Sequence, residues 1–495
     1  MGNYSDSLAI LFGIALAGVV SFFAYTLFFG DYNGNSGGLT QKGGRAACVS
    51  VDGTGGFSEA SGGGDCAVAR AVGLPTALAL SPDGRNAYVA GHREAVAVLD
   101  RDARTGVLAA KPGRSGCVSR DGTPGGERAR RLRQAAPVGR TRSCAVGRGL
   151  FGVTDLAASP DGRNVYVASA DGLAIFDRGR AGGLTQKAGR AGCLTSTGLQ
   201  RGAQRKSPGC GRAQGLFETS SVTVSPDGRT VYVTSVDVLA FARDRRTGAL
   251  TRLPGRAGCV SATTRGAGGS DCVADPDIDG ATSIVVSPDG RQVFASSGTD
   301  AGGTGAVAIL DRDRRTGALV RARGRTACIG QSEGCASARG LRGASAVAVS
   351  ADGTSAYVLS DVGCAIAVFD RDAATGALTQ KRGAAGKATK HADSGACSNR
   401  VSGATVGFRG GGIALSRDGR RLFVSARAGL AMYARAPRGG ALTYKGCVSD
   451  DGEGTCEDVK VLNIPVAPAV SPDGRNVYVG VQGGDAIAAF DVPRR

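Results

Sequence analysis

One short string recurs along this chain, and its recurrence limits the fold more than any other feature. Ser81-Pro-Asp-Gly-Arg-Asn-Ala-Tyr-Val returns with its Ser-Pro-Asp-Gly turn intact at Ser159, Ser225, Ser287 and Ser471. It returns varied at Ser350 (Ser-Ala-Asp-Gly) and Ser416 (Ser-Arg-Asp-Gly). The seven copies start 78, 66, 62, 63, 66 and 55 residues apart. A period in this range marks stacked supersecondary units that bury their cores against one another. Ser at the first position, Pro with its fixed φ at the second, then Asp and Gly, suit a type I turn leading into a bulged hairpin.

Each turn has a short apolar strand before it, such as Ile284-Val285-Val286, and a β-branched, aromatic strand after it, such as Val231-Tyr232-Val233. A third strand follows, in the fourth copy Ala306-Val307-Ala308-Ile309-Leu310. Then comes a second turn, Asp-x-x-Thr-Gly-x-Leu, at Asp102–Leu108, Asp244–Leu250, Asp313–Leu319 and Asp372–Leu378. No helical period intervenes, so each unit reads as four short strands. Seven such units predict an all-β, seven-bladed β-propeller. The last copy stops at Arg495 after its third strand. A matching fourth strand stands at the other end, where Gly37-Gly38-Leu39-Thr40-Gln41-Lys42 repeats Gly182–Lys187. The expectation is a closed ring over 37–495, strand 37–43 completing the last blade.

The repeated Ser-Pro-Asp-Gly-x-x-Val-Tyr-Val, with Val231-Tyr-Val-Thr-Ser235, resembles the YVTN and lactonase-like family of seven-bladed propellers over residues 37–495. The resemblance implies the fold and admits a lactonase-like hydrolase or cyclase activity. Its motifs are turns and strands that any member needs, so they do not carry a function.

Residues Leu8 to Phe29 run without a charge. At ~1.5 Å per residue, 22 residues reach about 33 Å, enough for a bilayer core of ~30 Å. Aromatics (Phe22, Phe23, Tyr25, Phe28, Phe29) crowd its distal end, as at a headgroup layer. No Lys or Arg precedes the run and no A-x-A-like site closes it, which favours an uncleaved anchor over a signal peptide. We expect a transmembrane anchor at 1–30, a short linker at 31–36 and the propeller from 37. Ala9, Gly13, Ala17 and Ser21 share one helical face, a small-residue stripe that permits self-association or docking in a membrane complex or filament.

Fourteen cysteines fall as seven pairs. Six pairs sit between the fourth strand of one unit and the first of the next: Cys48 with Cys66, Cys117 with Cys144, Cys193 with Cys210, Cys259 with Cys272, Cys328 with Cys335, and Cys447 with Cys456. In the remaining interval Lys387 stands where the first cysteine belongs, which leaves Cys397 to pair with Cys364. One pair per loop behind a membrane segment reads as disulfides and places the propeller on the extracytoplasmic side of the cell membrane. There is no CxxC, no tryptophan, and histidine only at His92 and His391, so no metal site is expected.

Strand direction sends the disulfide loops and the second-to-third-strand loops to one face, and both repeated turns to the other. The anchor then attaches at the turn face and the disulfide loops point away from the membrane. A variable loop face on a repeated scaffold is the expected ligand face. There the longest loop carries Arg128, Arg130, Arg131 and Arg133, a candidate polyanion site or a solvated charge run. The formal charge is +18, and 51 of the 60 basic residues are arginine. Codon bias accounts for that as well as a polyanion surface does, and nucleic acid is not the expected partner. His92 and Glu94 in one loop and His391 in another would supply the base for a lactonase. Acidic loops at Asp275-Pro-Asp-Ile-Asp279 and Ser449-Asp450-Asp451-Gly452-Glu453 have oxygens for Ca²⁺ but no EF-hand spacing, so no cofactor is assigned. The leading expectation is a membrane-anchored binding or scaffold module, with the hydrolase and the structural subunit as alternatives.

Overall fold

The computed structural model describes residues 38–54, 66–91, 94–124, 143–200, 209–216, 218–263, 271–298, 305–330, 334–360, 365–382, 387–388, 411–426, 429–450 and 456–493. The repeat builds seven sheets of antiparallel strands. The first blade runs Pro75–Leu80, Asn86–Gly91 and Ala95–Arg101 from the inside outward. Its innermost strand contacts that of the second blade, Val153–Ala158, and so on round to Pro465–Val470 of the seventh, which returns to the first. The ring is therefore closed, as the sevenfold repeat requires.

Period-two alternation explains why these strands carry almost no polar residues on either side. Ala87 and Val89 pack towards the seventh blade with Tyr478 and Ile487. Tyr88 and Ala90, pointing the other way, pack towards the second blade with Val165 and Phe176. Both faces of a middle strand thus lie inside an inter-blade layer, and all six residues of Asn86–Gly91 are buried. Near the axis hydroxyls tie blades together: Thr76 Oγ1 donates to the Val153 carbonyl (3.2 Å), Thr154 Oγ1 to Thr219 (2.8 Å) and Ser220 Oγ to Ala281 (3.0 Å).

The amino-terminal segment supplies the outer strand of the seventh blade. Thr40 pairs with Asp491, Gln41 with Phe490, and Cys48–Ser50 with Ala486–Ala488, all antiparallel.

Two features go beyond the four-strand reading. In every blade but the sixth the described fourth strand is split: in the first blade Leu108–Ala110 and Cys117–Ser119 both pair with Ala95–Arg101, separated by a 3-10 turn at Gly113–Gly116, whereas in the sixth Leu442–Ser449 runs unbroken with a bulge. A fifth strand of two residues, Ala145–Val146, then lies parallel on the edge, and the Cys117–Cys144 disulfide fastens it there. Two parallel residue pairs have too few hydrogen bonds to hold an edge, which explains a covalent staple at that point.

The six expected disulfides all form. Cys48 is bonded to Cys66, Cys117 to Cys144 and Cys193 to Cys210. Cys259 is bonded to Cys272, Cys328 to Cys335 and Cys447 to Cys456. Their Cα–Cα distances are 4.6–5.0 Å. The staple recurs in the same place: Cys210 precedes the edge strand Gly211–Arg212, Cys272 precedes Val273–Ala274, and Cys456 precedes Glu457–Asp458. Lys387 pairs with Ala367, in the register that Cys328 occupies opposite Ala308. Cys364 and Cys397 lie outside the described residues, as does the Leu8–Phe29 segment with Ala9, Gly13, Ala17 and Ser21. Among the described residues no helix is long and apolar enough to cross a membrane.

Candidate functional site at the seam of the ring

The turn face is assembled from a clasp that the repeat duplicates between blades. In each Ser-Pro-Asp-Gly turn the Ser hydroxyl donates to the Asp two residues on, and accepts from the backbone N–H five residues on, as Ser159 does with Asp161 (2.6 Å) and Asn164 (3.0 Å). That Asp then receives an arginine from the end of the next blade's third strand. Arg243 Nη2 donates to both oxygens of Asp161 (3.0 and 2.9 Å) and to Asn164 Oδ1, Nη1 to its own blade's Gly228 carbonyl, and Nε to Tyr166 Oη (2.6 Å). Tyr166 Oη donates onward to Gly248 O (2.9 Å). Gly248, with φ +72°, rests on Asn164 so closely that a Cβ would lie 2.2 Å from it, which is why the second turn needs glycine.

Arg101, Arg178, Arg312, Arg371 and Arg435 make the same bridge to Asp473, Asp83, Asp227, Asp289 and Asp352. All six guanidinium side chains are at most 8 % exposed. Burial opposes ionisation of these aspartates, but the Ser hydroxyl, a backbone N–H and the arginine outweigh it; Asp352 is held down at about 2. Burial pushes the phenols of Tyr88, Tyr232 and Tyr478 up to about 12.

The seventh interface, between the sixth and seventh blades, departs from this. Val492 stands where the others have arginine, and Phe423 where most have tyrosine; both join Leu39 in an apolar cluster. Arg421 replaces the Asn, Thr, Gln or Ser of the other copies and reaches the opposite way, Nη2 donating to Pro493 O (2.7 Å). Asp418 keeps Ser416 Oγ (2.6 Å) and the Arg420 N–H (3.1 Å), but among the described residues it receives no arginine from the seventh blade. Burial opposes its ionisation; those two bonds and the charges of Arg421 and Arg420 keep it below the usual carboxylate range. Where the clasp is missing, a cleft of about 650 Å³ opens, lined by Arg417, Asp418, Arg420, Arg421, Asp473 and Arg475 over a floor that includes Val492 and Pro493. Asp473 is already neutralised by Arg101 at 3.0 Å. Among the described residues Arg417, Arg420 and Arg475 form no ion pair, so the cleft is cationic and suited to an oxyanion.

Sequence reasoning read these turns as scaffold and overlooked the cleft. The signal lay in aligning the copies: Ser416-Arg-Asp-Gly-Arg-Arg carries three arginines where the other turns carry one or none. The residues singled out from sequence, Arg128, Arg130, Arg131, Arg133, His92 and His391, all lie outside the described residues. Of their neighbours, Glu94 is bound by Arg120 Nη1 (3.0 and 3.2 Å).

The Asp275–Asp279 loop can be judged for calcium. Asp275 caps a 3-10 turn by accepting from the Asp277 N–H, and Arg321 lies 3.1 Å from Asp275 and 2.8 Å from Asp277. A guanidinium already occupies the place of a cation, and burial raises the Asp275 carboxyl further. Asp277 also lies beside Cys328 and Cys335, but these are joined in a disulfide and have no thiolate to offer a metal. In the second acidic loop Asp451 and Glu453 lie outside the described residues.

One axial carboxylate stands out from its counterparts. Asp155 occupies a bulge where the other copies have Ala77, Ser221, Ser283, Ala346, Gly412 or Ala467. Burial raises its pKa, and the Val222 N–H, Ser221 Oγ and Leu156 N–H all donate to it at 2.8–2.9 Å. Those partners make it a strut between the second and third blades.

The chain matches no protein-family model, and no curated protein matches it. Among solved structures it is similar to the Pseudomonas aeruginosa periplasmic gluconolactonase, at 18 % identity over 76 % of this chain and 85 % of that one (TM-score 0.47). It is similar also to Kuenenia stuttgartiensis hydrazine synthase, at 15 % identity over 88 % and 99 % (TM-score 0.46). A third is the Swd1 β-propeller domain of Myceliophteria thermophila, at 12 % identity over 85 % and 98 % (TM-score 0.47). At these identities the likeness is one of fold.

Proposed function

We propose that this chain is a membrane-anchored, extracytoplasmic β-propeller that works as a binding or scaffold module, its disulfide-stapled loop face turned towards a partner. The observation that carries the reading is the set of six disulfides, one at the root of each of six blade-to-blade loops. Such pairs persist in oxidising compartments and are reduced in the cytoplasm. The bridges enclose loops with cysteine separations from 7 to 27 residues on one repeated frame. Constant roots with variable spans are what a recognition face needs. The uncharged Leu8–Phe29 segment supports the anchor.

The test uses the full-length chain in its native membrane. Alkaline carbonate should leave it in the pellet, and a maleimide probe should label it only after reduction. Release by carbonate, or thiols that react without reductant, would sink the anchored, oxidised reading. Turnover of a lactone panel, lost on His92→Ala, would replace the binding role with the hydrolase.

A further inference from the structure

Three departures from the repeat fall on the same seam: Arg417 for the turn proline, Arg421 for the amide or hydroxyl, and Val492 for the clasp arginine. Elsewhere a guanidinium is consumed in neutralising a neighbour's aspartate, nearly or wholly buried. Here the seventh blade withholds that cation and the sixth blade adds two, so positive charge that the other interfaces bury is exposed in an open cleft. With four arginines against Asp418, and Asp473 already paired to Arg101, the local charge favours an anion.

The position of the cleft names its source. Gly38, the first described residue, packs on Pro493 of the cleft lining, so closely that a Cβ would lie 3.0 Å from the proline ring. The cleft is therefore beside the point where the chain enters from the Leu8–Phe29 segment. Exposed arginines recur at equivalent turns of this face, Arg163, Arg229 and Arg291, while the aspartates of those turns are held in clasps. Basic residues held at a membrane surface attract anionic lipid headgroups.

We propose that the seam cleft binds the phosphate of an anionic phospholipid headgroup, with Arg417, Arg420 and Arg475 as its donors, and so orients the ring on the membrane, turn face down. The proposal rests on the anchored reading for its geometry, and adds a ligand on the face opposite the disulfide loops. Three guanidinium groups around one phosphate would give multiple charge-assisted hydrogen bonds that a single lysine does not offer.

The test is native mass spectrometry of the full-length protein in a neutral detergent, titrated with short-chain phosphatidylglycerol, short-chain phosphatidylcholine or inorganic phosphate. One phosphatidylglycerol should bind in preference to phosphatidylcholine, and the triple variant Arg417→Ala, Arg420→Ala, Arg475→Ala should weaken it about tenfold or more. These arginines are exposed and Arg421 is left in place, so the melting temperature should not move; a drop in it calls for the single variants, read the same way. Equal binding by wild type and variant overturns the site. Inorganic phosphate binding as tightly as phosphatidylglycerol overturns the lipid as its source. Carbonate release of a protein that still binds phosphatidylglycerol through these arginines overturns the anchor and leaves the cleft standing.

Discussion

The clasp arginine shows how a single residue column decides an interface. Five of the six clasps give the guanidinium Nε a tyrosine hydroxyl: Tyr478, Tyr88, Tyr166, Tyr232 and Tyr357. The fourth blade has Phe294 instead. Arg371 lies with its guanidinium 5.9 Å from that ring, and its buried Nε has no acceptor among the described residues. Phe294→Tyr should place an oxygen there that accepts from Arg371 and donates to Gly376 O, as Tyr232 does to Gly317 O. We expect a gain of about 1 kcal/mol in guanidinium-induced unfolding. Tyr166→Phe should cost a similar amount or more, because it strands Arg243 Nε and the Gly248 carbonyl. No gain from the first with no loss from the second would mean the hydroxyl column is incidental.

At the scale of elements, the strands and turns were legible because they obey local rules. Pro and Gly punctuate each hairpin, and alternating β-branched and aromatic residues fill strands buried on both sides. What was not legible lay between elements. The split fourth strand and the two-residue fifth strand are too short to leave a period, and the clasp joins residues some 80 positions apart, such as Arg243 and Asp161. The arginines were therefore read as a compositional excess, when six of them are buried structural cations. The seam cleft was hidden for the same reason: Ser416-Arg-Asp-Gly-Arg-Arg acquires meaning only beside Val492. The six disulfides were readable because cysteine has one strong structural use in such loops. They also make a prediction that separates chain entropy from local fastening. Cys117 and Cys144 are 27 residues apart, Cys328 and Cys335 only 7. If restriction of the unfolded chain dominates, replacing the first pair by alanine should cost about 1 kcal/mol more than replacing the second. Equal losses, measured by denaturant unfolding, would assign the stabilisation to pinning the edge strand.

For the whole molecule, ring closure is the longest-range interaction and the one whose removal has the clearest consequence. Thr40 and Asp491 are strand partners from opposite ends of the chain, and Lys42 Nζ sits 2.5 Å from Asp491 Oδ1 while also donating to Thr105 O of the first blade. Gln41 adds a reciprocal pair with the Lys460 backbone. The amino-terminal strand thus stitches the seventh blade to itself and to the first. A chain beginning at residue 37 retains every one of these contacts and should melt as the full-length protein does. A chain beginning at residue 51 loses both halves of the outer strand and the Cys48–Cys66 bridge, whose loss alone costs about 2–4 kcal/mol. It also bares Ala486–Asp491 as an unpaired edge, a template for aggregation. The shorter chain should therefore show one reactive thiol at Cys66, a lowered melting temperature and concentration-dependent association. An unchanged melt together with a monomeric state would mean that contacts between neighbouring blades suffice, and that the shared seventh blade is not what holds the ring.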